Sequence, residues 1–155
     1  MSLQAKNTSL RRILRLKIRN YMKKDTKKYI YTIGRRKRST ARIRLFAGKG
    51  QILVNDKPGS EYFKDVPKEV YLKPFTVAGL EGKYFATARI SGGGIKGQVG
   101  AFVHGVSRAL IKVEEEKYKK VLKSAHLLTR DSREKERRKF GLAQKARAKK
   151  QSPKR

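Results

Sequence analysis

The sequence predicts an α+β domain flanked by two basic extensions, and three observations carry that expectation. Period-two alternation comes first along the chain and apolar stripes of helical period follow, the order of an α+β fold rather than of alternating βα units. Nearly all hydrophobic periodicity lies between residues 29 and 126. The flanks, residues 1–28 and 127–155, each carry a net charge of +9. The expected organisation is a basic N-terminal extension at 1–28, a folded body at 29–126 and an extended basic tail at 127–155.

Within the body, Tyr29 to Ile33 is β-branched and aromatic and predicts a strand. Thr40 to Phe46 alternates, with Ala41, Ile43 and Leu45 on one face and Arg42 and Arg44 on the other, which predicts a half-buried strand with a cationic outer face. Gly48-Lys49-Gly50 turns the chain into Gln51 to Val54, read as the return strand of a hairpin. Asn55 to Gly59 is a loop by composition. Residues 60–82 predict short helical turns broken by Pro67 and Pro74. Tyr84 to Ser91 alternates again, with Ala86, Ala88 and Ile90 inward and Thr87 and Arg89 outward. A long helix follows, with Val99, Phe102, Val103, Val106, Leu110 and Val113 on one stripe and His104, Arg108 and Lys112 opposite. Glu114 to Glu116 suit the positive end of a second helix, whose own stripe is Tyr118, Val121, Leu122 and Ala125. Its continuity with the first helix stays open. Aromatic residues make up 8% of the chain, with no Trp, which predicts a modest aliphatic core.

Lys and Arg number 42 against 12 acidic residues, for a net charge of +30. Such self-repulsion calls for a polyanionic partner; a nucleic acid is the first candidate and an anionic membrane surface the second. The absence of cysteine excludes disulfides, a thiolate metal site and a thiol nucleophile, and two histidines argue against a zinc site. No apolar run approaches the roughly 20 residues that span a bilayer.

Gly92-Gly93-Gly94-Ile95-Lys96-Gly97 matches GxGxxG between a strand and a helix, but no strand follows to complete a βαβ unit, so neither a nucleotide cofactor nor a nucleotide-dependent enzyme is expected. Bare glycines at a helix start can instead approach a phosphate of a nucleic-acid backbone, with Lys96 beside them; a turn needed only for packing is the alternative. Gly34 to Arg42 places Arg35, Arg36, Lys37 and Arg38 on a basic loop between strands, and Arg42 and Arg44 continue that surface, a pattern expected to contact phosphate. His104, four residues before Arg108, has no acid or nucleophile at a catalytic spacing, so contact with RNA or a plain surface role is expected. His126 falls near a helix end, where a polar or capping role is the default. The tail holds too few apolar residues to build a core, while Arg130, Arg133, Arg137, Arg138, Lys139, Lys145 and Arg147 suit threading into folded RNA.

Three motifs carry a family likeness: GRRKRSTAR at 34–42, GGGIKGQVGAFVHGVSRAL at 92–110, and LLTRDSREKERRKFGLAQKAR at 127–147, with Lys154-Arg155 at the end. On these the chain resembles the universal ninth protein of the small ribosomal subunit, over about residues 29–155. The resemblance implies a four-stranded sheet backed by helices, like the second domain of ribosomal protein five. It implies a structural, non-enzymatic constituent of the subunit head, without cofactor or membrane association, on a cytoplasmic ribosome of bacterial type or alternatively a mitochondrial or plastid one. Its partners would be small-subunit ribosomal RNA, peptidyl-site tRNA and neighbouring head proteins. Arg35–Arg38 and the tail cations would contact ribosomal RNA, and Lys154 and Arg155 would approach the tRNA. Ser152-Pro153 departs from the family ending, which has an aromatic residue and Ser there, and removes a stacking ring. The arm at 1–28 lies outside the likeness; Leu10, Ile13, Leu14, Ile18 and Tyr21 stand at helical spacing among cations, read as an extension lying on RNA in preference to a transit peptide or an interfacial helix. A free-standing basic regulator or chaperone of nucleic acid would share the charge but not the motif order.

Overall fold

The computed structural model describes residues 28–142 and 145–147. The expectations for residues 1–27 and for Lys154 and Arg155 lie outside the described residues. Strand β1 (Tyr29–Arg36) pairs antiparallel with β2 (Ser39–Ala47) through a two-residue turn at Lys37-Arg38, where Lys37 takes a φ of 50°. The basic segment expected as a loop is therefore mostly strand. Its outward positions point away from the core while Gly34 and Thr32 point inward, so alternation survives up to the turn.

The remaining strands are β3 (Leu53–Val54), β4 (Lys57–Pro58) and β5 (Tyr84–Ser91), and the sheet order is β1-β2-β5-β3-β4. Among the described residues the sheet thus has five strands, not four; the extra one comes from the tight turn at Asn55-Asp56, both at positive φ, which folds the expected loop back onto β3. The expected hairpin between β2 and residues 51–54 is also corrected. β5 sits between them, antiparallel to β2 over eight residues and parallel to β3 over two. An eight-residue strand offers β2 a far longer ladder than two residues can, and the chain crosses over the end of β5 to reach β3. Gly48 N–H donates to Lys83 C=O at 2.8 Å, and at Gly50 a Cβ would lie 2.6 Å from the Phe85 ring.

Helices α1 (Gly59–Tyr62), α2 (Lys68–Ala78), α3 (Ile95–Val113) and α4 (Glu115–Ser124) complete the described elements. Pro67 is the N-cap of α2, but Pro74 lies inside it without ending it. Pro74 removes one helical hydrogen bond, and the carbonyl it orphans belongs to Val70, an exposed residue that water can reach. Gly79 closes α2 in the left-handed conformation, with Leu80 N–H donating back to Phe75 C=O. Glu114 breaks α3 from α4 with extended backbone, and His126, at φ 56°, closes α4 as the capping role anticipated.

The core lies between the sheet and the long helix. Ala41, Ile43, Leu45, Ala86, Ala88 and Ile90 meet Val99, Phe102, Val106 and Leu110. It is more aromatic than expected: Phe63 and Phe102 are the largest fully buried side chains, edge to face at 6.0 Å, with Tyr71 and Phe75 alongside. Phe63, Tyr71 and Phe75 come from the short helices at 59–78, which pack inward against Phe102. Val121, placed on the stripe of α4, is instead 43% exposed. Helix α3 crosses β1 almost backbone to backbone. A Cβ on Gly34 would stand 2.0 Å from Ala101 C=O, and one on Gly105 would stand 2.6 Å from Ile43. Thr32 Oγ1 donates to Gly105 C=O at 2.8 Å across this crossing.

Candidate nucleic-acid interface

Among the described residues the outer edge of β1 has no strand partner, and its free backbone groups would invite pairing with another chain. The polar face of α3 covers them. Arg35 N–H donates to His104 Nδ1 at 3.2 Å, Arg108 Nη1 donates to Ile33 C=O at 2.6 Å, and Lys112 Nζ donates to Tyr31 C=O at 3.2 Å. Four residues of helix advance about 6 Å and two of strand about 6.8 Å, so the two periods stay in step. The sequence placed His104, Arg108 and Lys112 on one face; that the face would meet a strand edge required knowing which strand the helix crosses.

Arg35, His104, Arg108 and Arg130 come together around a recess of about 240 Å³, floored by Ile33. Burial, then the charges of Arg108 and Arg130, hold the His104 imidazole below its usual pKa, and backbone groups of Arg35 and Leu128 hydrogen-bond the ring. The recess thus gathers Arg35, Arg108 and Arg130 around a neutral imidazole, a constellation suited to a phosphate.

The hairpin turn is the second part of this surface. Arg38 Nε pairs with Glu134 Oε1 at 2.7 Å, and Arg36 pairs with Asp131. Asp131 also takes Arg133 Nη2 at 2.7 Å. The tail therefore runs back over the turn, with Leu127 and Leu128 packed against the core at its root. Farther along, Arg147 Nε donates to Glu136 at 2.8 Å and holds that carboxyl below the usual carboxylate range. Arg130, Arg133, Arg137, Arg138, Lys139 and Lys145 are exposed, and Arg147 is half-buried.

The triglycine turn lies against the hairpin turn. Gly92 and Gly93 have positive φ, and a Cβ there would meet Arg38 C=O at 2.5 Å and Ser39 Oγ at 2.1 Å. Ser39 Oγ donates to Gly92 C=O at 3.0 Å. Their bareness is used for packing, so the phosphate reading of these two glycines gives way to the packing one. Gly94, the N-cap of α3, is open on that side, and Lys96 is exposed in the first turn.

Arg42 and Arg44 are not part of this surface. They project from the opposite, uncovered face of the sheet, where they are joined by Arg89 and by aromatic rings. The sequence pattern marked Arg89 as outward but did not make it a site residue; matching outward positions across the strand register would have found it.

A family profile described as ribosomal protein S9/S16 matches residues 34–155. Small ribosomal subunit protein uS9 of Cutibacterium acnes is 46% identical over 110 residues, covering 70% of this chain and 64% of that protein. Its counterpart of the same name in Solidesulfovibrio magneticus is 46% identical over 114 residues, covering 73% of this chain and 87% of that protein. The chain thus spans a little under two thirds of the first relative's length.

Proposed function

The chain belongs to the ribosomal protein S9/S16 family, and from that premise we propose that it is a structural, non-catalytic constituent of a bacterial-type small ribosomal subunit that holds ribosomal RNA in the subunit head. The observation that carries the reading is convergence. The hairpin-turn cations Arg35 to Arg38, the helix residues Lys96, His104 and Arg108, and the tail residues Arg130 and Arg133 come from three separated stretches of sequence. Arg35, His104, Arg108 and Arg130 line one recess at the β1 edge, and Asp131 and Glu134 of the tail pair with Arg36 and Arg38 at the turn beside it. Phosphates neutralised there would release counterions and position the RNA without reading its bases.

In this reading Arg137, Arg138, Lys139, Lys145 and Arg147 extend the contact along the tail. Lys154 and Arg155 reach the backbone of the peptidyl-site tRNA, and neighbouring head proteins complete the partners. The tail's carboxylates, Asp131 and Glu134, hold Arg36 and Arg38 in position until phosphates compete for them. Residues 1–28 and 127–155 act as basic extensions of the body at 29–126.

Replacing Arg35, Arg36, Lys37 and Arg38 with alanine is expected to impair incorporation into small subunits, read by sedimentation and stoichiometry at moderate salt. Removing Lys154 and Arg155 is expected to weaken peptidyl-site tRNA binding while assembly proceeds. Full incorporation of the four-alanine variant would overturn the RNA-holding role of the turn.

A further inference from the structure

The uncovered face of the sheet is ordered into rows by the strand register. Tyr29, Phe46 and Phe85 stand side by side across β1, β2 and β5; Tyr31, Arg44 and Thr87 form the next row; Ile33, Arg42 and Arg89 form the third. One end of the face is aromatic, the other is cationic, and the middle row mixes the two. Phe46 and Phe85 stack at 5.1 Å and 12°, Tyr29 tilts against Phe46 at 5.7 Å, and the Arg44 guanidinium lies 5.3 Å from the centre of the Tyr29 ring. Apart from Phe85 and Ile33, the residues of these rows line, together with Leu53 and Asp56, an open trough of about 660 Å³.

Two features of the trough call for an occupant. Tyr29 and Tyr31 are 49% and 44% exposed, although rings at these positions could have been polar residues at no loss to the core behind them. Arg42 lies directly opposite Arg89 in the ladder, a like-charge pair that weakens a sheet. Among the described residues neither has a carboxylate partner. A face that combines ring surfaces with unneutralised guanidinium groups is complementary to a strand that combines bases with phosphates.

We propose that this face is a stacking platform for a single-stranded RNA segment, a second contact separate from the cation-lined β1 edge. The proposal rests on the RNA-binding reading above and names what the sheet adds to it. Tyr29 and Tyr31 take unpaired bases on their rings, Arg42, Arg44 and Arg89 take the phosphates between them, and Asp56 accepts from a base amino group at the rim. A duplex cannot use the tyrosines, because its bases are stacked on one another. Three strands at about 4.8 Å spacing, eight residues long at about 3.3 Å, give room for two or three bases.

The experiment uses the full chain with two probes of equal length, an unstructured single-stranded oligoribonucleotide carrying 2-aminopurine and a duplex RNA. The expected result is quenching of 2-aminopurine on binding. Tyr29→Leu and Tyr31→Leu, which keep apolar bulk and lose the ring, should each weaken single-strand binding about tenfold while duplex binding stays within about twofold. Thermal unfolding of both variants checks that the sheet is intact. Arg42→Gln should lower the salt dependence of single-strand binding. Absence of quenching, or equal loss for single strand and duplex, overturns the platform. If the platform fails while alanine at Arg35–Arg38 still weakens duplex binding, the proposed function stands without it. If neither set of variants changes RNA binding, both readings fall.

Discussion

His104 joins the β1 edge, helix α3 and the start of the tail through one ring. Because Nδ1 accepts the Arg35 N–H, the fold requires that nitrogen to be unprotonated. Burial and the neighbouring Arg108 and Arg130 act in the same direction and lower its pKa from the ordinary 6.5. The unfolded chain therefore binds a proton at higher pH than the folded one. The stability that neutral His104 contributes is complete above about 6.5 and is lost as the pH falls through 6.5 toward the lower folded value. Thermal unfolding should show a declining midpoint across that window. His104→Asn, which keeps an acceptor but does not titrate, should flatten the decline, and an equal decline in that variant would place the proton elsewhere. From the sequence, His104 was expected to contact RNA or to be a plain surface residue, with no acid or nucleophile at a catalytic spacing. Its partner, a backbone N–H 69 residues away, was invisible because nothing local encodes it.

At the scale of elements, β3 is only two residues long, and side chains supply what its backbone cannot. Asn55, just past its end, donates through Nδ2 to Ile90 C=O at 3.0 Å and accepts Ile90 N–H at 2.8 Å through Oδ1, continuing the ladder along β5. Its amide also reaches Tyr62 Oη, which donates to Gln98 in α3. One amide thus links β5, α1 and the first turns of α3. Asn55→Ala should cost about 1–3 kcal/mol by leaving the Ile90 groups without partners, read as a lower denaturation midpoint in urea at unchanged slope. A cost near zero would mean that water replaces the amide. Asn55 looked like a loop residue by composition, and its positive φ agrees with that. Its ladder role appears only once β5 lies beside it. β5 itself, by contrast, matches the alternating segment Tyr84–Ser91 residue for residue, because a strand buried on one face writes its period directly into the chain.

At the scale of the whole molecule, the cations of the described residues are arranged rather than spread. The helix-covered side leads from the β1 edge into the tail, and the bare sheet face carries its own arginines. The few acids of the tail act as internal counter-charges, Asp131 for Arg36 and Arg133, Glu134 for Arg38. Exposed pairs of this kind contribute little stability, so their expected effect is on where the tail lies. The double variant Asp131→Asn, Glu134→Gln should leave the melting temperature nearly unchanged and speed tryptic cleavage after Arg130 and Arg133. It should also steepen the salt dependence of RNA binding, as freed cations meet phosphates. Unaltered cleavage would show that Leu127 and Leu128 alone anchor the tail.

The sequence by itself determined the class of the fold, three of its strands, its long helix and the strongly cationic character of the chain. Period and net charge are local or additive, and both survive being read one residue at a time. Only the tertiary structure decided that β5 inserts between β2 and β3, and that Gly34 and Gly105 let helix and strand nearly touch. It alone separated the cations into a β1 edge braced by His104, Arg108 and Lys112 and a ring-lined sheet face bearing Arg42, Arg44 and Arg89. Those outcomes depend on which distant segments become neighbours, and that choice is set by competition among long-range pairings of the whole chain, which no single stretch of residues records.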